Sequence, residues 1–164
     1  MPNSILTPSL RLVVDTNVVM DMLFFHDIHT IPLRNAIQQG RMTCYVDGAT
    51  LAELECVLAY PEFHLDTIRR HNLLQSYLRF VVHCEATGNE IYDLPRCRDG
   101  DDQKFLELAA RCRAHMLVTR DKQLLRLARH QHKYTSMSFA IVTATEASEH
   151  AGLDTFGILG ESSF

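Results

Sequence analysis

The chain has 164 residues, 46% of them hydrophobic and 22% charged, with a net charge of −4. That composition suits one domain with a buried core and excludes a disordered chain, and the overall acidity argues against a uniformly basic nucleic-acid-binding surface. No apolar run approaches the roughly 20 residues of a spanning helix, and the start MPNSILTPSL lacks the basic region of a signal peptide, so a cytoplasmic protein is expected.

In chain order, Leu10–Val14 is a short apolar run suited to a fully buried strand of a parallel sheet. It stops at Asp15, and apolar Val18–Phe25 predicts a helix. A second helix is expected over Ile31–Gln39, with Pro32 in its first turn and Gly40 at its stop, followed by a strand over Met42–Val46. Asp47–Ala59 predicts a helix with Asp47 as its cap and Leu51, Leu54 and Leu58 on one face, ended by Pro61. A helix over Asp66–Tyr77 leads into a third strand, Leu78–His83, and then into a polar loop from Glu85 to Gly100. The last third alternates cleanly: helix Asp102–Arg113, strand Met116–Thr119, helix Asp121–His132, strand Phe139–Val142 and a short helix near Thr145–Ala151.

Strands alternating with helices predict an α/β sandwich around a parallel sheet of four or five strands. A single domain is expected over residues 1–150. Residues 151–164 lack a period and are expected to form a partly disordered tail.

The five cysteines are odd in number, widely spaced and without a CxxC pair, so neither a disulfide framework nor a zinc site is expected. Most should be small buried apolar residues. Of nine histidines only His26/His29 and His130/His132 lie close together, and neither pair has a supporting ligand cluster.

In an open α/β sheet ligands bind beyond the carboxyl ends of the strands, so acids there matter most. Asp15 ends the first strand, Asp121 follows the strand at 117–119, and Asp99, Asp101 and Asp102 open the helix before it. Glu53 and Glu55 both flank the apolar face of the helix after the second strand, and a helical wheel does not choose between them. Asp102 and Asp121 also suit helix N-termini, where a carboxylate is favourable by about 0.5–2 kcal/mol without any chemistry. Asp15 is harder to explain structurally, because an apolar strand feeding an apolar helix offers it little open surface.

Several carboxylates at one end of a sheet repel one another and raise each other's pKa unless a cation lies among them. Oxygen ligands without supporting nitrogen or sulfur suit Mg²⁺ or Mn²⁺, and such an ion flanked by Lys and Arg is equipment for phosphoryl chemistry. Residues 96–133 supply the basic half. They hold ten of the sixteen Lys and Arg against five acids, so this segment is +5 and the remainder −9. On the helix after Asp121, Lys122, Arg126, Arg129 and Lys133 recur at helical spacing, either as a stripe that tracks a phosphate backbone or as an ordinary solvated face.

With these motifs in place, the chain resembles PIN-domain ribonucleases, particularly those that serve as toxins of bacterial toxin–antitoxin modules (VapC-like). The likeness lies in VVDTNVV at 13–19, TLAELECVL at 50–58, CRDGDDQKFLELA at 97–109 and LVTRDKQLL at 117–125, in the family's order, and spans about residues 10–145. It implies a PIN-like three-layer sandwich in which Asp15, Glu53, Asp102 and Asp121 hold Mg²⁺ or Mn²⁺ for hydrolysis of RNA phosphodiester bonds. By the same resemblance Asn17 and Thr119 orient the site and Asp99 supports the loop or the metal, while the charge of the basic segment offers Arg98, Lys104, Arg120, Lys122 and Arg126 as substrate contacts. A cognate antitoxin that buries part of the acidic cleft, and a homodimer, are the implied partners. Gly100 stands where the subgroup often has proline, which keeps Asp101 as a competitor of Asp102, and Arg120 fills a position that is frequently small.

Other acid-led readings fit less well. A haloacid-dehalogenase-like phosphatase needs a second Asp two residues after the first, where this chain has Asn17, and a response-regulator receiver wants a lysine after its last strand, which AIVTA at 140–144 does not offer. The reading from a different class is a catalytically silent PIN-fold scaffold that binds RNA or protein.

Overall fold

The computed structural model describes residues 9–157. The central strand is β1 (Leu10–Val14), whose parallel neighbours are β2 (Met42–Val46) and β4 (Met116–Val118). With β3 (Val81–His83) beside β2 and β5 (Ala140–Val142) beside β4, the five-stranded sheet has the order β3-β2-β1-β4-β5, parallel throughout. The expected α/β sandwich is therefore the observed one.

Strand alternation divides the apolar runs between two cores. Leu12 and Val14 of β1, with Met116 and Val118 of β4, face one layer. Its helices are α1 (Thr16–Leu23), α2 (Ile31–Gln38), α3 (Gly48–Leu58), α4 (Thr67–Leu78) and α7 (Ala144–Gly157). Val13, Leu117 and Ile141 face the other, filled by Phe105, Leu106, Leu108 and Ala109 of α5 (Gln103–Arg111) and Leu124 of α6 (Lys122–Leu127).

Local chemistry sets several boundaries. Gly40 takes φ +74, the left-handed turn that ends α2. Asp47 caps α3 in a reciprocal pair with Thr50: its side chain accepts the Thr50 N–H at 2.9 Å, and its own N–H donates to Thr50 Oγ1 at 3.1 Å. Thr143 and Glu146 make the same kind of pair at α7, the Thr143 N–H donating to Glu146 Oε2 at 2.7 Å.

Several expectations are corrected. Helix α1 begins at Thr16 because Asp15 is its extended N-cap, its carbonyl accepting the Val18 and Val19 N–H groups. Strand β3 is three residues, not six, since α4 runs on through Leu78 to bury Tyr77 against Cys44. The helix expected over Asp121–His132 is α-helical only to Leu127; Ala128–Lys133 tightens to a 3-10 helix, so that Met137 and Phe139 can reach the core. At three residues per turn, Arg129 and Lys133 leave the line of Lys122 and Arg126, and the four-residue basic stripe is broken. Of the cysteines, all free thiols, Cys44 alone is fully buried. Helix α7 continues to Gly157, and the rest of the expected tail lies outside the described residues. Among the described residues no helix is long and apolar enough to cross a membrane.

Candidate active site

After β1 the chain passes to β2 on one side of the sheet, and β4 leads to β5 on the other. The carboxyl ends of β1 and β4 thus form a switch point, where a crevice opens beside the sheet. Asp15 follows β1 directly, and its N–H donates to the Val118 carbonyl at 2.9 Å, tying the two strand ends together.

Thr119, fully buried, links two of the acids. Its Oγ1 donates to Asp15 Oδ2 at 2.7 Å and accepts the Asp121 N–H at 3.0 Å. Asp121 in turn caps α6, accepting the Gln123 N–H at 2.7 Å. Asp15 is 4% exposed. Burial pushes its carboxyl pKa up, the Thr119 hydroxyl pulls it down, and the charges of Glu53 and Asp121 raise it again. The nearby Asn17 N–H also favours the charged form, short of a full capping hydrogen bond.

Glu53 reaches the same place from α3. Thr16 Oγ1 donates to its Oε2 at 2.6 Å, and Lys104 Nζ of α5 stands 3.5 Å from its Oε1. Glu55 is exposed, so the helical ambiguity resolves towards Glu53. Asp102 ends the 3-10 turn Gly100–Asp102 that leads into α5, and Asp99 caps that turn by accepting the Asp101 N–H at 3.0 Å. Burial first, then the charges of Asp15, Asp121, Asp99 and Glu53, push Asp102 up to about 6. Those named neighbours place Asp102 inside the acidic group, whereas Asp101 is exposed.

Asp15, Glu53, Asp102 and Asp121 are therefore brought within electrostatic reach of one another. Among the described residues no three Asp, Glu, His or Cys side chains close into a ready-made metal cage. As a donor set, four carboxylates without nitrogen or sulfur ligands suit a hard divalent cation better than zinc.

The basic residues divide. Arg98 and Arg126 share a cleft of about 260 Å³ with Asp99 and Asp102. Lys122 is exposed and outside its lining. Arg120 is tied by its Nε to Asp21 Oδ2 on α1 at 2.9 Å, and Lys104 is held against Glu53 and above the Phe105 ring. Asn17 is exposed, and its side chain makes no hydrogen bond with the described residues. Sequence reasoning missed Thr16 as the partner of Glu53, and Asp21 as that of Arg120. The run DTN offered Thr16, but a contact 37 positions away leaves no local signal.

A family model described as PIN domain matches residues 11–123, a span that holds all four acids. No curated protein is significantly similar to the sequence. Among solved structures, the fold is similar to a chain from the crystal structure of VapBC2 from Rickettsia felis bound to a DNA fragment from their promoter. The TM-score is 0.52 and the identity 14%, over 82% of this chain and 98% of that one. The acid-lined switch point thus sits within the matched span, and the chain belongs to the PIN-domain family, whose members are nucleases.

Proposed function

We propose that this protein is a Mg²⁺- or Mn²⁺-dependent endoribonuclease that hydrolyses RNA phosphodiester bonds and serves as the toxin of a toxin–antitoxin module. The observation that supports it most is the convergence of four carboxylates, from segments up to 106 positions apart, on the switch point of the sheet. Asp15, Glu53, Asp102 and Asp121 are the residues that would hold the cation. When bound, such an ion polarises the phosphate, activates the attacking water and stabilises the leaving oxygen.

The chain's own residues prepare that step. Thr119 fixes the Asp15 carboxylate and the start of α6 with one hydroxyl, and Thr16 and Lys104 grip the two oxygens of Glu53. Such supporting contacts hold ligating oxygens in place. The Asp102 carboxyl keeps a proton below a pH of about 6 and releases it above. Asp99 shapes the turn that carries Asp102. Arg98 and Arg126, which line the cleft with Asp99 and Asp102, would orient phosphate oxygens, with the exposed Lys122 and Asn17 as further polar contacts.

An acidic cleft of this kind is also a docking place for a basic side chain of a cognate antitoxin. The VapBC2 neighbour, a two-component assembly, supports that partner. A homodimer and a cytoplasmic place of action complete the reading.

Purified protein with Mn²⁺ should cut single-stranded RNA, and Asp15→Asn should abolish cutting while RNA binding persists. Wild-type protein that binds RNA but cuts nothing with Mn²⁺ would favour the scaffold reading. Growth arrest on expression, relieved by a neighbouring small gene, tests the toxin role; unchanged growth in the native host counts against it.

A further inference from the structure

Three hollows lie in a row along α5 and share their walls. The cleft at Asp99 and Asp102 shares Arg96 and Cys97 with a hollow of about 630 Å³ beneath the 86–97 loop, lined along α5 by Gln103, Glu107 and Arg111. That hollow shares Tyr92 with a third, of about 340 Å³, at the amino ends of β1 and β4. Arg11, Arg113, His115, Ser136 and Ser138 line the third, and no acid is among its lining residues.

The far end holds two arginines with charge to spare. Arg11 Nε donates to the Arg113 carbonyl at 2.9 Å, which anchors the guanidinium, while its terminal nitrogens have no partner among the described residues. Arg113 is exposed and its side chain makes no hydrogen bond or ion pair there. It also stands at φ +50, just past the end of α5, with the Ala114 N–H reaching back to Ala109 at 2.9 Å. Glycine or asparagine suits that left-handed position better than arginine. A charged side chain there is not required by the fold.

We infer that a single strand of nucleic acid lies along α5, from the acidic site to Arg11 and Arg113 at the opposite end of the sheet. The inference rests on the nuclease reading and extends it by naming the strand's path. Helix α5 has nine residues and is ~13 Å long, room for about four nucleotides at the stacked spacing of 3.4 Å. Phosphates meet cations at both ends of the path: Arg96, Arg98 and Arg126 at the site, Arg11 and Arg113 beyond it. Glu90 and Glu107 repel phosphate in the middle, where Tyr92 and Leu94 offer surface to bases instead.

The test is the affinity of the full chain, without divalent ions, for labelled oligouridylates of roughly twelve and three nucleotides across a salt series. Arg113→Asn leaves the turn comfortable, and Arg11→Gln keeps an N–H for the Arg113 carbonyl, so both variants should fold. In the double variant the longer RNA should bind roughly ten-fold more weakly, with a salt slope flatter by about 1.4 for two lost phosphate contacts. Its advantage over the trinucleotide should shrink, and Arg113→Asn alone should show about half the change in slope. An unchanged affinity and slope for the longer RNA in a folded variant overturns the path. So does equal competition by polyglutamate, which assigns the far end to an acidic protein segment. Cleavage with Mn²⁺, measured separately, reports on the nuclease reading: wild-type protein that binds by length but never cuts leaves the path standing and removes the activity.

Discussion

Two ion pairs cross between α3 and α5, one at each end, and they do different work. Asp47, the cap of α3, meets Arg111 at the end of α5 at 3.0 Å, with both side chains about nine-tenths buried. Arg111 also donates to the Cys84 carbonyl at 3.1 Å, though its buried Nε has no hydrogen bond and lies 3.9 Å from Glu90. Glu53 and Lys104, towards the start of α5, stand 3.5 Å apart and are about a quarter exposed. The first pair is closed around its own charges and joins elements. The second remains open to solvent beside Asp15 and Asp102, with a carboxylate that has two protein partners yet can still take a third charge. Burial and the number of supporting donors separate a pair that holds the fold from one that serves a site.

The largest effect expected from breaking this contrast is catalytic. Glu53→Gln should lower kcat for RNA with Mn²⁺ by about a thousand-fold or more while the unfolding midpoint barely moves, because Gln keeps an oxygen for Thr16 and lessens the repulsion among the acids. A large loss of stability would show that Glu53, like Asp47, is structural. Next, Arg111→Met should cost about 3–5 kcal/mol in denaturant unfolding, because it strands the buried Asp47 carboxylate. A loss under about 1 kcal/mol would place that pair among the weak surface ones.

A smaller effect is expected from pH. Asp102 binds its proton more tightly folded than unfolded, and so does Asp15, because burial and neighbouring acids raise both. The stability this contributes is full below about 3.8, the ordinary value, and is lost as pH rises through about 6. Metal-free protein should therefore lose Tm between about pH 4 and 7 through this group, Asp102→Asn should flatten the fall, and Mn²⁺ should offset it at the upper end. Lys104→Met should change stability least, by about 0–1 kcal/mol, yet shift the Mn²⁺ concentration needed for half-activity. An unaltered Mn²⁺ requirement would detach Lys104 from the site.

The legible parts of the site were those written locally. Asp15 between two apolar segments, Asp121 and Asp47 before helices, and the acid-rich turn at 99–102 all announce themselves in a few residues. Glu53 against Glu55, and Asp102 against Asp101, did not. In both cases the rival carboxylate lies one or two positions away, and the decision comes from Thr16, Lys104 and the other acids across space. The basic stripe failed for a related reason: burial of Met137 and Phe139 overrides the α-helical period after Leu127. Residues assigned to substrate by charge alone, Arg120 and Lys104, proved to be engaged with Asp21 and Glu53.

What the sequence by itself determined is the alternation of buried strands and amphipathic helices, their caps, and the placing of acids at strand ends. These follow from periodicity and from hydrogen bonds within a turn or two. The tertiary structure alone decided the strand order that sets β1 beside β4, and with it the Thr119 hydroxyl between Asp15 and Asp121. That contact joins residues 104 positions apart. Only burial of both sheet faces brings such groups together, since no local preference reaches across that length of chain.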